Sequence, residues 1–146
     1  MAGWSWTRGH EAAFDELEKI EPKLRGHPDV LEVRVDIYEM ADKWDYCVEI
    51  GDALVRVTPE RPSGWLKRSH ALHQLGKTQE AYDALHDGLY QLRDEHEAWY
   101  DLARSCALDD VERARKMIEK AIELGGGAVK LRALDDEGLI RVWAGP

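Results

Sequence analysis

With 146 residues and a net charge of −9, the chain is long enough for one sizeable core and too acidic to favour a nucleic-acid or anionic-membrane surface. Its longest stretch without a charged residue, Ser69 to Gly76, is far short of the ~18 residues of a membrane-spanning helix, so no membrane partner is expected. Met1 to Phe14 lacks the apolar core of a secretory signal and two cysteines make no disulfide framework, so a cytoplasmic protein is expected.

Five prolines, a single phenylalanine and abundant Ala, Leu, Glu and Arg favour helix over strand. The first predicted helix runs over 10–24. The next covers 28–41, where Leu31, Val35 and Tyr38 recur at i, i+4 and i+7, and a helix over 44–57 follows with Asp42 as its expected cap. Pro59 and Pro62 punctuate the boundary before a helix over 62–75. Gly76 separates that helix from one over 78–92, capped by Thr78, in which Ala81, Leu85 and Gly88 repeat the same face spacing. Helices over 96–107 and 110–124 complete the series, with Asp109 and Glu112 as a variant capping box and Gly125 to Gly127 as the stop. A short segment around LRALDDEGLIRVW ends the chain.

The helices fall into pairs with a period of 34 residues. Leu31, Trp65 and Trp99 form one column, Trp4, Tyr38, Leu72 and Cys106 a second, and Ala13, Cys47 and Ala81 a third. Leu17, Gly51 and Leu85 form a fourth, and Ile20, Leu54 and Gly88 a fifth. Each column holds large apolar residues, or small ones where helices approach closely. After Cys106 the register slips by one, so Ala114, Ile118 and Ala121 follow at a spacing of 33. The missing residue belongs to the turn at ALDD, where a deletion costs little.

Over roughly residues 10 to 127 this pattern resembles the tetratricopeptide repeat (TPR) family. The second unit matches through Trp65, Ser69, Leu72, Gly76, Ala81 and Leu85. The first matches through Leu31, Tyr38, Cys47, Leu54 and Pro59, and the third through Trp99, Ala103, Ala114, Ile118 and Ala121. Arg34 and Arg68 depart from the leucine usual at the seventh position, and the third unit lacks its proline. The resemblance implies an all-α fold, a right-handed superhelical solenoid of antiparallel helix pairs, as one domain over 1–146. Its parts are a half-unit helix at 10–24, repeats at 28–61, 62–95 and 96–127, and a cap at 128–146. Stacked units leave an apolar face at each end. Leu131, Leu134, Leu139 and Trp143 are expected to cover one; at the other, Trp4 either packs in the Tyr38 column or belongs with Trp6 to a disordered tail.

Signals for chemistry are sparse. His70 and His73 make either a two-ligand metal face or, more simply, exposed polar positions, and no third ligand accompanies them. Cys47 and Cys106 stand in apolar columns two units apart, too far for a disulfide, and read as inert core thiols. The glycines at 125 to 127 follow a helix, which does not fit a phosphate loop. No nucleophile–base pair can be read, so neither enzymatic activity nor a cofactor or metal is expected.

The resemblance instead implies a scaffold that binds a peptide or helical segment of a partner protein, on a concave face lined by the first helix of each unit. In the first unit the outward positions are Asp29, Glu32, Val33, Asp36, Glu39 and Met40. In the second they are Ser63, Leu66, Lys67, His70, His73 and Gln74, and in the third Glu97, Tyr100, Asp101 and Arg104. Asp29, Glu32, Asp36 and Glu39 form one acidic stripe, which is either an ordinary solvated face or a site for a basic partner segment. One TPR subclass grips the C-terminal carboxylate of heat-shock chaperones with a two-carboxylate clamp. Its five positions are Glu32, Asp36, Lys67, Glu97 and Asp101 here, and four acids disfavour that ligand. The alternative function is a small secretion-type chaperone that shields a client protein. The sequence assigns no oligomeric state.

Overall fold

The computed structural model describes residues 12, 15, 16, 19 and 25–144, and among them every regular element is helical. Of the helix expected over 10–24, Ala12, Asp15 and Glu16 are helical and Lys19 lies in a turn; the rest of it, with Trp4 and Trp6, lies outside the described residues. From there the order is α1 (Pro28–Met40), α2 (Trp44–Val57), α3 (Pro62–Gln74), α4 (Thr78–Asp87) and α5 (Leu89–Leu92). It continues with α6 (His96–Cys106), α7 (Val111–Gly125), α8 (Gly127–Leu134), a 3-10 turn (Glu137–Leu139) and α9 (Ile140–Trp143). The first helices of the three units therefore start at 28, 62 and 96, a constant step of 34. The strongest packing runs in chain order, α1 on α2, α2 on α3, α3 on α4, α4 on α6 and α6 on α7. Successive first helices, α1 with α3 and α3 with α6, also touch.

The period extends to hydrogen bonds. Trp65 donates its indole N–H to the Pro59 carbonyl at 2.8 Å, and Trp99 donates to Arg93 at 2.9 Å, each reaching six residues back into the loop between units. Where the two helices of a unit approach most closely, the Cys47 thiol faces the Val35 carbonyl at 3.9 Å and the Ser69 hydroxyl donates to Ala81 at 3.1 Å. Both contacts span 12 residues, between equivalent columns in opposite directions.

The turns explain the register slip. Asp42 and Gly76, 34 apart, both take left-handed backbone, with φ of 57° and 79°. Asp42 is thus part of the turn and not the cap expected of it; Lys43 is the N-cap of α2 and Lys77 that of α4, leaving Thr78 as the first helical residue. In these two turns the N-cap amide donates to Tyr38 and to Leu72, at 2.9 Å each. In the third unit Asp110 N–H donates to the equivalent Cys106 carbonyl at 2.8 Å, and its ring is one residue shorter. No residue there has positive φ, so the deleted position is the left-handed one. Asp110, rather than Asp109, caps α7, accepting from the Arg113 amide at 3.0 Å.

Two expectations about packing are corrected. The helix predicted over 78–92 breaks at Gly88, between α4 and α5, where the Trp65 ring lies against the backbone and a Cβ would overlap it. At the C-terminal end Leu139 is buried as expected, but Leu131, Leu134 and Trp143 are 71, 53 and 40% exposed. Val129, Ala133 and Val142 cover the end in their place, since the i, i+4 pair Val129 and Ala133 is the inner stripe of α8. Arg68, in the usual leucine column, extends over the Trp65 ring and pairs with Asp52 at 2.9 Å, keeping its charge at the edge of the core. Gly51 makes room for it: a Cβ there would stand 2.8 Å from Arg68 Cβ.

Candidate functional site

The first helices lie side by side, so each presents its outward positions next to those of the unit after it. Between α1 and α3 the acidic stripe meets two cations. Arg61 lies 3.1 Å from Asp29 and 3.7 Å from Glu32, and the Ser63 hydroxyl also donates to Glu32. Lys67 donates to Glu39 at 2.8 Å and pairs with Asp36 at 3.3 Å. Burial disfavours the Lys67 ammonium, but its bonds to Glu39 and Asp36 outweigh that and hold its pKa above the usual value. All four acids have a partner, and the stripe forms a seam between units.

A second seam joins α6 to the C-terminal segment. Arg132 of α8 grips Glu97 with two bonds of 2.7 and 3.0 Å, and its guanidinium sits 3.9 Å above the Tyr100 ring. The Tyr100 hydroxyl donates to Asp136 at 2.7 Å; burial and this bond push its pKa up. The sequence places Tyr100 among the outward groove positions, but it is fully buried, with Arg132 of α8 over its ring. Leu66 is half-buried against the core, whereas Val33 and Met40 remain open, at 49 and 66% exposure.

His70, His73, Asp101 and Arg104 are brought together between α3 and α6, with Ser69 and Ser105. Burial, then the charge of Glu97, raises the Asp101 carboxyl from its usual 3.8 to about 7, against the opposing pull of Arg132 and Arg104. His73 moves the other way, lowered first by burial and then by the Arg104 charge. His70 stands edge-on to Trp44 at 5.4 Å. Among the described residues no three His, Cys, Asp or Glu side chains converge as a metal site. Cys47 and Cys106 are both buried and unpaired with each other; burial raises both thiols, Cys47 to about 12.

From this cluster a cleft of about 590 Å³ opens toward the C-terminal segment. Its floor is the end of α6, with Arg104, Ser105, Leu108 and Asp109. One wall is His73 and Thr78, the other Glu137, Gly138, Ile140 and Arg141. Of the residues singled out from the sequence, His73 and Arg104 line it. Thr78, Leu108, Ile140 and Arg141 were missed as site residues, because they sit at turns and in the terminal segment, outside the helix faces that periodicity reports.

The arrangement of helices is that of several solved structures. The first TPR of Spaghetti (RPAP3), bound to HSP90 peptide SRMEEVD, superposes with a TM-score of 0.69 at 20% identity, covering 81% of this chain and 94% of that one. The chain has the tetratricopeptide-repeat fold. MamA is similar as well: a structure titled MamA MSR-1 C2 gives 0.65 at 23% identity over 80% of this chain and 66% of that one. A MamA crystal structure gives 0.68 at 16% identity over 92 and 82%. No protein-family model matches the sequence, and no curated protein does.

Proposed function

We propose that this TPR chain is a non-enzymatic interaction module that binds a short segment of a partner protein on the face of its first helices, with the cleft beside His73 and Arg104 as the deepest point of contact. The observation that carries this reading is the cleft itself. At about 590 Å³ it falls within the ~300–1,000 Å³ usual for ligand sites and combines apolar side chains with a few convergent polar groups. The peptide-bound RPAP3 neighbour supports a peptide as the occupant, since it has the same fold. The HSP90 peptide of that neighbour is not the ligand expected here. Glu32, Asp36, Glu97 and Asp101 occupy clamp positions, and Glu32, Asp36 and Glu97 are held by Arg61, Lys67 and Arg132. The groove retains Asp29, Val33, Asp36 and Met40 as exposed contacts on α1, where four acids against two cations leave a residual preference for a basic residue.

The test is photo-cross-linking in cell extract from an unnatural residue placed at Leu108 or Ile140, with Tyr90 on α5 as the control position. Leu108 and Ile140 are 72 and 59% exposed and Tyr90 is 79% exposed, so all three positions accept the label. The expected result is one set of partner adducts from 108 and 140 that is absent from 90. Identical adducts from all three positions would refute the reading.

A further inference from the structure

We infer that the cleft between α6 and α9 is a carboxylate-recognition site, which takes an acidic residue of the bound segment together with an adjacent apolar side chain. The inference rests on the reading of the cleft as the peptide site and adds its chemistry. Two guanidinium groups reach the cleft from different elements, and each keeps donors that no described residue accepts from. Arg104 pairs with Asp136 through its Nε at 3.2 Å, and among the described residues its two terminal nitrogens have no hydrogen-bond partner. Arg141 donates one N–H to the Leu108 carbonyl at 3.3 Å and has no carboxylate partner among the described residues. The Nδ1 of His73, on the opposite wall, is buried without a hydrogen-bond partner.

Unmet donors at one cavity mark a place where a ligand atom replaces water at small cost. Guanidinium forks match the planar oxygens of a carboxylate, and a charge-assisted pair is about twice as strong as a neutral one. The other charges narrow the choice. Asp109 and Glu137 also line the cleft and pair with no cation among the described residues, so a dianionic phosphate or a run of acids meets more repulsion than a single carboxylate does. Leu108 and Ile140, both largely exposed, supply the apolar contact beside it. None of this involves the clamp positions. The carboxylate is read by the end of α6 and the terminal segment, three residues or more beyond Asp101.

The experiment is an NMR titration of the full chain with three probes: the capped dipeptide N-acetyl-Leu-Asp-amide, its Leu-Asn counterpart, and inorganic phosphate. The Leu-Asp probe should shift the amides of Ser105, Leu108 and Gly138 saturably. The Leu-Asn probe should bind at least roughly tenfold more weakly, the loss expected for one charge-assisted contact. Arg141→Gln, which removes a group whose only bond in the fold is to one carbonyl, should abolish the preference for Asp over Asn while leaving the circular dichroism unchanged. Equal binding of both dipeptides at these amides would overturn the carboxylate assignment and keep the cleft as a peptide site. Phosphate shifting the same amides more strongly than Leu-Asp would also overturn it. Shifts by the dipeptides confined to α1, or none at the cleft from any probe, would overturn both readings.

Discussion

Asp101 is the residue whose replacement should stabilise this protein, and by an amount that depends on pH. Its carboxyl is mostly buried on α6, and burial raises its pKa from 3.8 to about 7, with the Glu97 charge adding to the shift. A group whose folded pKa lies above its unfolded value holds its proton more tightly in the native state. Its contribution is fully present below the unfolded pKa and is lost as pH rises through the folded one. Here the loss begins near 3.8 and is complete above about 7. At about 1.4 kcal/mol per pKa unit, the full shift bounds the loss at about 4 kcal/mol. Arg104 and Arg132 stand near and some solvent reaches the carboxyl, so the working figure is roughly half of that, about 2 kcal/mol.

Asp101→Asn replaces the protonated carboxyl by a neutral group of the same shape. Urea unfolding followed by circular dichroism should give parent and variant the same stability near pH 4, within about 0.5 kcal/mol. Near pH 8 the variant should be more stable by about 2 kcal/mol. The difference between the two curves isolates Asp101 from every other titrating group. A difference that is constant with pH would refute the reasoning, because it would mean that the Asp101 carboxyl has the same pKa in the folded and unfolded states. A variant less stable near pH 8 would do the same, since the carboxylate would then be a stabilising partner of Arg104 or Arg132.

Three further outcomes are expected. Gly88→Ala should lower stability by about 1–3 kcal/mol despite the better helix propensity of alanine, because its Cβ displaces the Trp65 ring, and indole fluorescence should report the displacement. Both thiols should react slowly with a labelling reagent in the native protein near neutral pH and quickly in urea, since burial raises both pKa values; Cys47→Ala should cost about 1 kcal/mol or less. Changing Glu32 and Asp36 together to Lys should leave the chain folded but less stable by about 1–2 kcal/mol. It sets cations against Arg61 and Lys67, and a higher salt concentration in the same unfolding assay should shrink the difference.

The fold was legible because a solenoid writes its contacts into the sequence at a fixed interval. The columns through Trp65 and Trp99, or through Cys47 and Ala81, are places where every unit meets the same neighbour, and the model buries or half-buries all four. What periodicity missed depended on single atoms. Gly88 stands in a helical column, and only the position of the Trp65 ring shows that no side chain fits there. Asp42 has the composition of a cap but the backbone of a turn, because the glycine of the next unit, Gly76, marks the slot it fills. Asp tolerates left-handed φ better than most residues, so one residue type suited both roles and pattern alone did not separate them.

The charge of the groove was harder to read for a related reason. A stripe read on one helix is a list of acids. Its electrostatics are set by the helix laid beside it, which in a repeat protein is encoded about one unit later. Every pair that neutralises the first-helix face obeys this interval. Asp29 and Arg61 are 32 apart, Glu39 and Lys67 are 28 apart, and Glu97 and Arg132 are 35 apart. Tyr100 and Asp136, at 36, follow the same rule across the terminal seam, so the segment after α7 takes the place of a fourth first helix although it matches none of the columns. Pairing outward positions with candidates one unit downstream therefore separates acids that hold the units together from charges left for a ligand. Arg104 and Asp136, at 32, obey the rule through the Nε of Arg104, whereas Arg141 has no such partner among the described residues. By that criterion the charge left for a ligand is Arg141 more than the acidic stripe of α1, as the proposed carboxylate site requires.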